Sequence, residues 1–217
     1  MPKVRCENII PAQQIQTAKN LLTAADCHLL RITKHPSNYV IGHSLPEAYH
    51  LGLLESNFDV KRVVPQPFKL FIGTRRYIPD CYFEEKGRPV VVELKPKGTD
   101  FEHIARPVSE YLSRKGIEFR MVWNEDVLEH FVLAENWLYM ARTLWNARRI
   151  DTEAAEREIL DRTYDGENCF GDFVQYGDRV NFCENEIAIF RLAYRNMLCL
   201  KLSEREINNE TEVLPCH

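Results

Sequence analysis

No apolar run in the chain approaches the roughly 18–20 residues that a membrane-crossing helix needs, so the expectation is a protein with no membrane partner. Export signals are equally scarce. The opening MPKVRCENII carries no apolar signal core, and the expected location is the cytoplasm. There is no C-x-x-C, and no cysteine joins a histidine at zinc spacing. The seven cysteines, Cys6, Cys27, Cys81, Cys169, Cys183, Cys199 and Cys216, are odd in number and scattered. They read as reduced thiols filling the core, with a reactive or metal-holding thiol as the alternative. Repeats and low-complexity tracts are missing too, which excludes solenoids and arrays. Positive charge is also short: the net charge is −4, unusual for a protein that grips nucleic acid unaided.

What is present is an ordinary folded composition. The 217 residues are 45% hydrophobic and 28% charged, enough for a real core in one domain or one and a half. Charge is unevenly spread. From Lys61 to Arg120, 13 Lys or Arg stand against 8 Asp or Glu, a net of +5. From Asp151 to His217, 7 stand against 15, a net of −8. The middle suits phosphates and the tail suits a protein partner, unless both are simply solvated surface.

Periodicity predicts a helix over residues 11–31, with Ile15, Ala18, Leu22 and Ala25 on one face. A second helix opens at SLPEAYHLGLLES, where Ser44 can cap and Glu47 holds the capping-box position. β-like segments follow in FDVKRVVPQPFKLFI, and a hairpin begins near Arg75. Residues 101–115 read as a helix that Pro107 kinks or breaks, and GIEFRMVW reads as a strand. Residues 125–145 then have apolar positions at helical spacing, so a boundary is expected near Asn124. Beyond it come a helix around residues 185–195 and two short apolar stretches, NMLCLKL and EVLP, which could form a wing-like hairpin.

The stretch YIPDCYFEEKGRPVVVELKP carries the chemistry. A two-residue turn at Lys86-Gly87 sets Glu85 opposite Arg88, and the same register brings Asp80 opposite Glu93. Their Cβ atoms would then stand roughly 4.5–5.5 Å apart, with Lys95 on the same face. Adjacent carboxylates repel, which raises one pKa or demands a cation. Hard divalent ions such as Mg²⁺ take oxygen ligands of this kind, polarise phosphates and make hydroxide from bound water. A nearby lysine orients that water or stabilises the extra negative charge of the transition state. The set suits phosphodiester hydrolysis; its rival is a surface ion pair on a solvated hairpin, worth ~0–1 kcal/mol. Arg75 and Arg76 could hold phosphate or merely guard an edge strand, and Lys97 beyond the strand end is similar. Arg191 and Arg195 read as a solvated face. Trp137 and Trp145 read as packing between domains, and His43 and His50 as incidental neighbours of Glu47.

These residues resemble the PD-(D/E)xK motif of restriction-endonuclease-like nucleases. The wider order of Ser44 with Glu47, Gln66 with Pro67, Pro79 with Asp80, and Glu93 with Lys95 is similar to the N-terminal domain of TnsA-like transposon endonucleases. The likeness is good over residues 40–124 and general beyond them. It implies an α/β fold with a mixed sheet flanked by helices over residues 1–124. A small helical or winged-helix-like, partner-binding domain would follow over residues 125–217. It implies that Glu47, Asp80 and Glu93 hold Mg²⁺, with Mn²⁺ able to substitute, and that Lys95 is the catalytic lysine. Glu55 is a second candidate for the helix carboxylate, and a purely structural capping role for Glu47 also stays open. The implied activity is hydrolysis of the 5′, non-transferred strand at transposon-end DNA, beside a TnsB-like transposase and a TnsC-like AAA+ ATPase. A stand-alone restriction or repair nuclease and a non-catalytic assembly subunit are the alternatives.

Overall fold

The structure is a computed structural model that describes residues 3–6, 8–9, 11, 13–15, 26–37, 39–166, 168–174 and 182–216. In chain order the elements begin with β1 (Val4–Cys6), β2 (His28–Leu30), β3 (Val40–Gly42) and α1 (Leu45–Ser56). Then come β4 (Val60–Pro65), β5 (Leu70–Ile72), β6 (Arg75–Tyr77), β7 (Cys81–Glu85) and β8 (Arg88–Lys95). They are followed by α2 (Glu102–Ser113), β9 (Glu118–Trp123), α3 (Asn124–Leu128) and α4 (Phe131–Asn146). The last are α5 (Glu153–Tyr164), α6 (Phe170–Phe173), α7 (Phe182–Tyr194), β10 (Leu198–Leu200) and β11 (Val213–Pro215). The protein is mixed α/β.

The central sheet runs β4-β7-β8-β9, antiparallel except for the parallel β8–β9 pair. Period-two alternation splits β8 cleanly. Val90, Val92 and Leu94 join Leu51 and Leu54 of α1 in one core, while Val91 joins Ile104, Val108 and Leu112 of α2 in another. The sheet is therefore a middle layer with a helix against each face. A three-stranded sheet, β1-β5-β6, extends the α2 side through Val4, Leu70, Ile72 and Tyr77. A third core gathers Trp137 and Met140 of α4, Ile159 of α5, Phe170, Phe190 of α7 and the β10–β11 pair. That pair lies where two apolar stretches were expected to form a hairpin.

Several expectations change. Residues 16–25 of the expected first helix lie outside the described residues, and its last part is the strand β2. There Leu30 pairs with Val40 and packs on the α1 core, a tertiary gain that outweighs local periodicity. Arg75–Tyr77 does not begin the β7 hairpin but folds back on β5 in the smaller sheet. Pro107 sits inside α2 without ending it. Burial of Ile104, Val108 and Leu112 offsets the missing backbone bond, which costs ~3 kcal/mol. The expected single helix over residues 125–145 is two, parted at Glu129–His130. Val127 of α3 enters the sheet core while Trp137 and Met140 enter the helical one, so the chain must turn between them. Finally, Cys199 and Cys216 are disulfide-paired rather than reduced, joining β10 to the residue after β11.

Candidate functional site

Lys86 and Gly87 both take positive φ (50° and 77°), so the turn between β7 and β8 has the two-residue form that suits twisted strands. The register that follows pairs Glu85 with Arg88 and Cys81 with Val92. Asp80 then leaves the ladder. Its N–H donates to Val92 O (3.1 Å), and its Oδ2 accepts the N–H of Leu94 at 2.7 Å. It is thus not the ladder partner of Glu93, as simple extrapolation of the register had placed it. On its other side Asp80 stays with β4, its O accepting the Gln66 N–H at 2.9 Å next to the Pro65–Cys81 pair.

Glu93 is buried, at 3% exposure, and gripped from two sides. Lys95 Nζ donates to its Oε1 at 2.5 Å, and Tyr77 Oη donates to its Oε2 at 2.5 Å. The ammonium of Lys95 also lies 5.0 Å from the centre of the Phe101 ring, and Tyr77 packs on the same ring at 6.0 Å. Glu47 arrives from the first turn of α1. The Ser44 hydroxyl accepts the Glu47 N–H (3.3 Å), and Glu47 Oε2 accepts from His43 N–H (3.0 Å) and from Gln66 Nε2 (2.9 Å). Capping and a place at the site are therefore compatible roles for Glu47. Gln66 adopts φ +38°, a left-handed backbone that costs a non-glycine residue on the order of 1–3 kcal/mol. Its Oε1 is held by Gln14 Nε2 at 2.5 Å.

The electrostatics follow from three carboxylates served by one lysine. Burial, then the negative charges of Glu93 and Glu47, hold the Asp80 carboxyl well above the usual range, against the lowering effect of Leu94 N–H and Lys95. Burial also raises Glu93, opposed by its bonds from Lys95 and Tyr77. The Tyr77 phenol is pushed far up by burial and by Glu93, so it remains a donor.

Glu55, the second candidate for the helix carboxylate, is elsewhere. It is fully buried and accepts from Thr33 N–H and Oγ1, Lys34 N–H and Tyr194 Oη. Arg75 and Arg76 are exposed on β6, beside Tyr77 on the same strand. Lys97 is engaged: its Nζ pairs with Asp126 at 2.5 Å and its N–H donates to Glu125. Arg191 binds Thr152 Oγ1 and Ala147 O, and Arg195 pairs with Glu156, so both tie α7 to its neighbours. Tyr77, Phe101 and Gln14 escaped sequence reasoning as site residues. For Tyr77 the available signal was a hydroxyl-bearing aromatic three residues before Asp80; nothing local marks the other two.

Among the described residues, no three His, Cys, Asp or Glu side chains stand together at metal-holding spacing. The donor chemistry nevertheless fits a hard divalent cation. The set is all oxygen, and three carboxylates share a single lysine, so Asp80 is raised by Glu93 and Glu47 on top of the burial that chiefly raises it. Protein donors already hold an oxygen of each carboxylate.

Fold and site together define a mixed α/β protein with a carboxylate–lysine cluster at one end of its central sheet. No family model matches the chain, and no curated protein matches it.

Proposed function

We propose that the protein is a metal-dependent DNA endonuclease with a restriction-endonuclease-like sheet, acting as a TnsA-like subunit of a transposase. The observation that supports this reading is the electrostatic neighbourhood of Asp80, which feels both Glu93 and Glu47, with Lys95 bound to Glu93. Glu47, Asp80 and Glu93 would hold Mg²⁺ or Mn²⁺, which would supply a polarised phosphate and an acidified water. Lys95, freed from Glu93, would donate to the water or to the phosphate oxygens that gain charge. Tyr77 keeps Glu93 aimed, and Phe101 screens the lysine from bulk water. Arg75 and Arg76, exposed on opposite faces of β6, would hold neighbouring phosphates.

In this reading the substrate is the 5′, non-transferred strand at transposon-end DNA. A TnsB-like transposase and a TnsC-like AAA+ ATPase are the partners, met through the acidic half of the chain. The test is nicking of labelled transposon-end DNA with Mg²⁺, with and without the cognate transposase, for the wild type and Asp80→Ala. Cleavage that requires the transposase and vanishes in the variant supports the proposal. Equal cleavage by the variant sinks the site, and cleavage by the wild type alone moves the assignment to an autonomous nuclease.

A further inference from the structure

Many cations of this protein are neutralised by a neighbouring acid: Arg62 by Glu84, Lys97 by Asp126, Arg120 by Glu85 and Glu118, Lys201 by Glu212. Others are not, and five of these stand together. Lys3, Arg5, Arg76, Arg114 and Lys115 form no ion pair with a described residue, and all five lie on or beside the β1-β5-β6 sheet.

Strand register explains their grouping. Arg5 pairs with Phe71 and Phe71 with Arg76, so the three make one row across the sheet. Val4, Ile72, Leu70 and Tyr77 occupy the opposite face and fill the core against α2. Arg5 and Arg76 are exposed, two strand spacings or roughly 9–10 Å apart, and the Arg5 guanidinium lies 4.9 Å from the Phe71 ring centre. Lys3, two residues before Arg5, carries the row to the free edge of β1. There a cleft of about 590 Å³ opens beside α2, lined by Lys3, Arg114 and Lys115. Among the described residues the one acid in its lining, Glu110, is paired with Arg106 at 3.4 Å. At the other end of the row Arg76 stands next to Tyr77 along β6 but on the opposite face, one strand position from the residue whose hydroxyl holds Glu93.

We infer that this outer sheet face, continued into the cleft beside α2, is the track for the phosphate backbone of duplex DNA flanking the scissile bond. The inference rests on the nuclease reading and adds a surface to it. Unpaired cations in a line, with an aromatic ring among them and no uncompensated acid among the described residues, match a polyanion of regular spacing. They also explain how a protein of net charge −4 can hold DNA, since the acidic residues are concentrated in the other half.

The experiment measures binding of a short labelled DNA duplex by fluorescence anisotropy, in EDTA so that no strand is cut, across a salt series. Lys3→Ala/Arg5→Ala/Arg76→Ala is compared with wild type and with Arg157→Ala/Lys201→Ala/Arg205→Ala, which removes equal charge from the acidic half. The track predicts a log–log salt slope shallower by about 1 for each phosphate that the variant no longer neutralises, and about tenfold or greater weakening. The remote triple should bind as wild type does. Arg5→Lys/Arg76→Lys, which keeps charge and fold, should retain most of the affinity. An unchanged slope, or an equal weakening in the remote triple, overturns the inference. Cleavage of the same DNA is followed in parallel with Mg²⁺ and the transposase. Wild-type cleavage beside normal binding by the triple removes only the track; a wild type that neither binds nor cuts removes the nuclease reading as well.

Discussion

Asp80 lies among two other carboxylates with a single lysine to balance them, and its burial raises the cost of ionising further. Asp80→Asn keeps an oxygen for the Leu94 N–H and removes a carboxyl whose ionisation burial, Glu93 and Glu47 oppose. In EDTA it should raise stability on the order of 1–2 kcal/mol at neutral pH, a Tm gain of about 2–4 °C per kcal/mol, while abolishing nicking. A lower Tm would mean that the three carboxylates do not repel one another in the free protein. His50 makes a second prediction. Burial pushes its imidazole down to about 4, and its Nε2 has no partner among the described residues. A base whose folded pKa is lowered contributes stability that is full above its unfolded value, about 6.5, and is lost as pH falls toward 4. The loss should be about 3 kcal/mol. Urea midpoints at about pH 7 and pH 4 should therefore separate less in His50→Leu than in wild type. His35, also lowered by burial, leaves a residual slope. Identical separations would acquit His50.

At the scale of elements, what was legible in the sequence was local. The Lys86-Gly87 turn, the Ser44 cap and the alternation Val90–Leu94 are each decided by residues a few positions apart, and the structure has all three. That register put Asp80 near Glu93 because a hairpin converts sequence spacing into position, but not opposite it, since Asp80 leaves the ladder after Cys81. What stayed hidden depends on long-range pairing. Nothing local says that Arg75–Tyr77 pairs with β5, so Tyr77 was invisible as the clamp on Glu93. The split between α3 and α4 reflects two competing cores, which a single hydrophobic period cannot express. Gly52 is another such long-range constraint. A Cβ there would stand 2.5 Å from Ala134 O and 3.0 Å from its Cα, so only glycine lets α1 lie this close to α4. Gly52→Ala should destabilise by about 1–3 kcal/mol, since overpacking against backbone has no easy relief. Chemical denaturation would measure it, and a neutral result would show that the helices can slide apart freely.

Across the whole molecule, charge and packing are distributed differently. The charges separate, with a row of unpaired cations along β1-β5-β6 and the acids concentrated beyond Asp151. The packing does not separate in the same way, because α4 lies on α1 and Tyr194 of α7 donates to Glu55 at 2.9 Å. Tyr194→Phe deletes that hydroxyl and leaves a fully buried carboxylate one donor short, which should cost about 1–3 kcal/mol. Hydrogen exchange should show α1 and α7 loosened together. Loosening confined to α7 would mean that the bond is incidental. The position of Tyr194 also sets an order of events during synthesis. The helix that carries Glu47 ends beside a carboxylate whose last donor is supplied 139 residues later. A ribosome that has released only the sheet has made a chain in which α1 already packs on the sheet core while Glu55 still lacks its Tyr194 donor. That bond can form only once translation has passed residue 194.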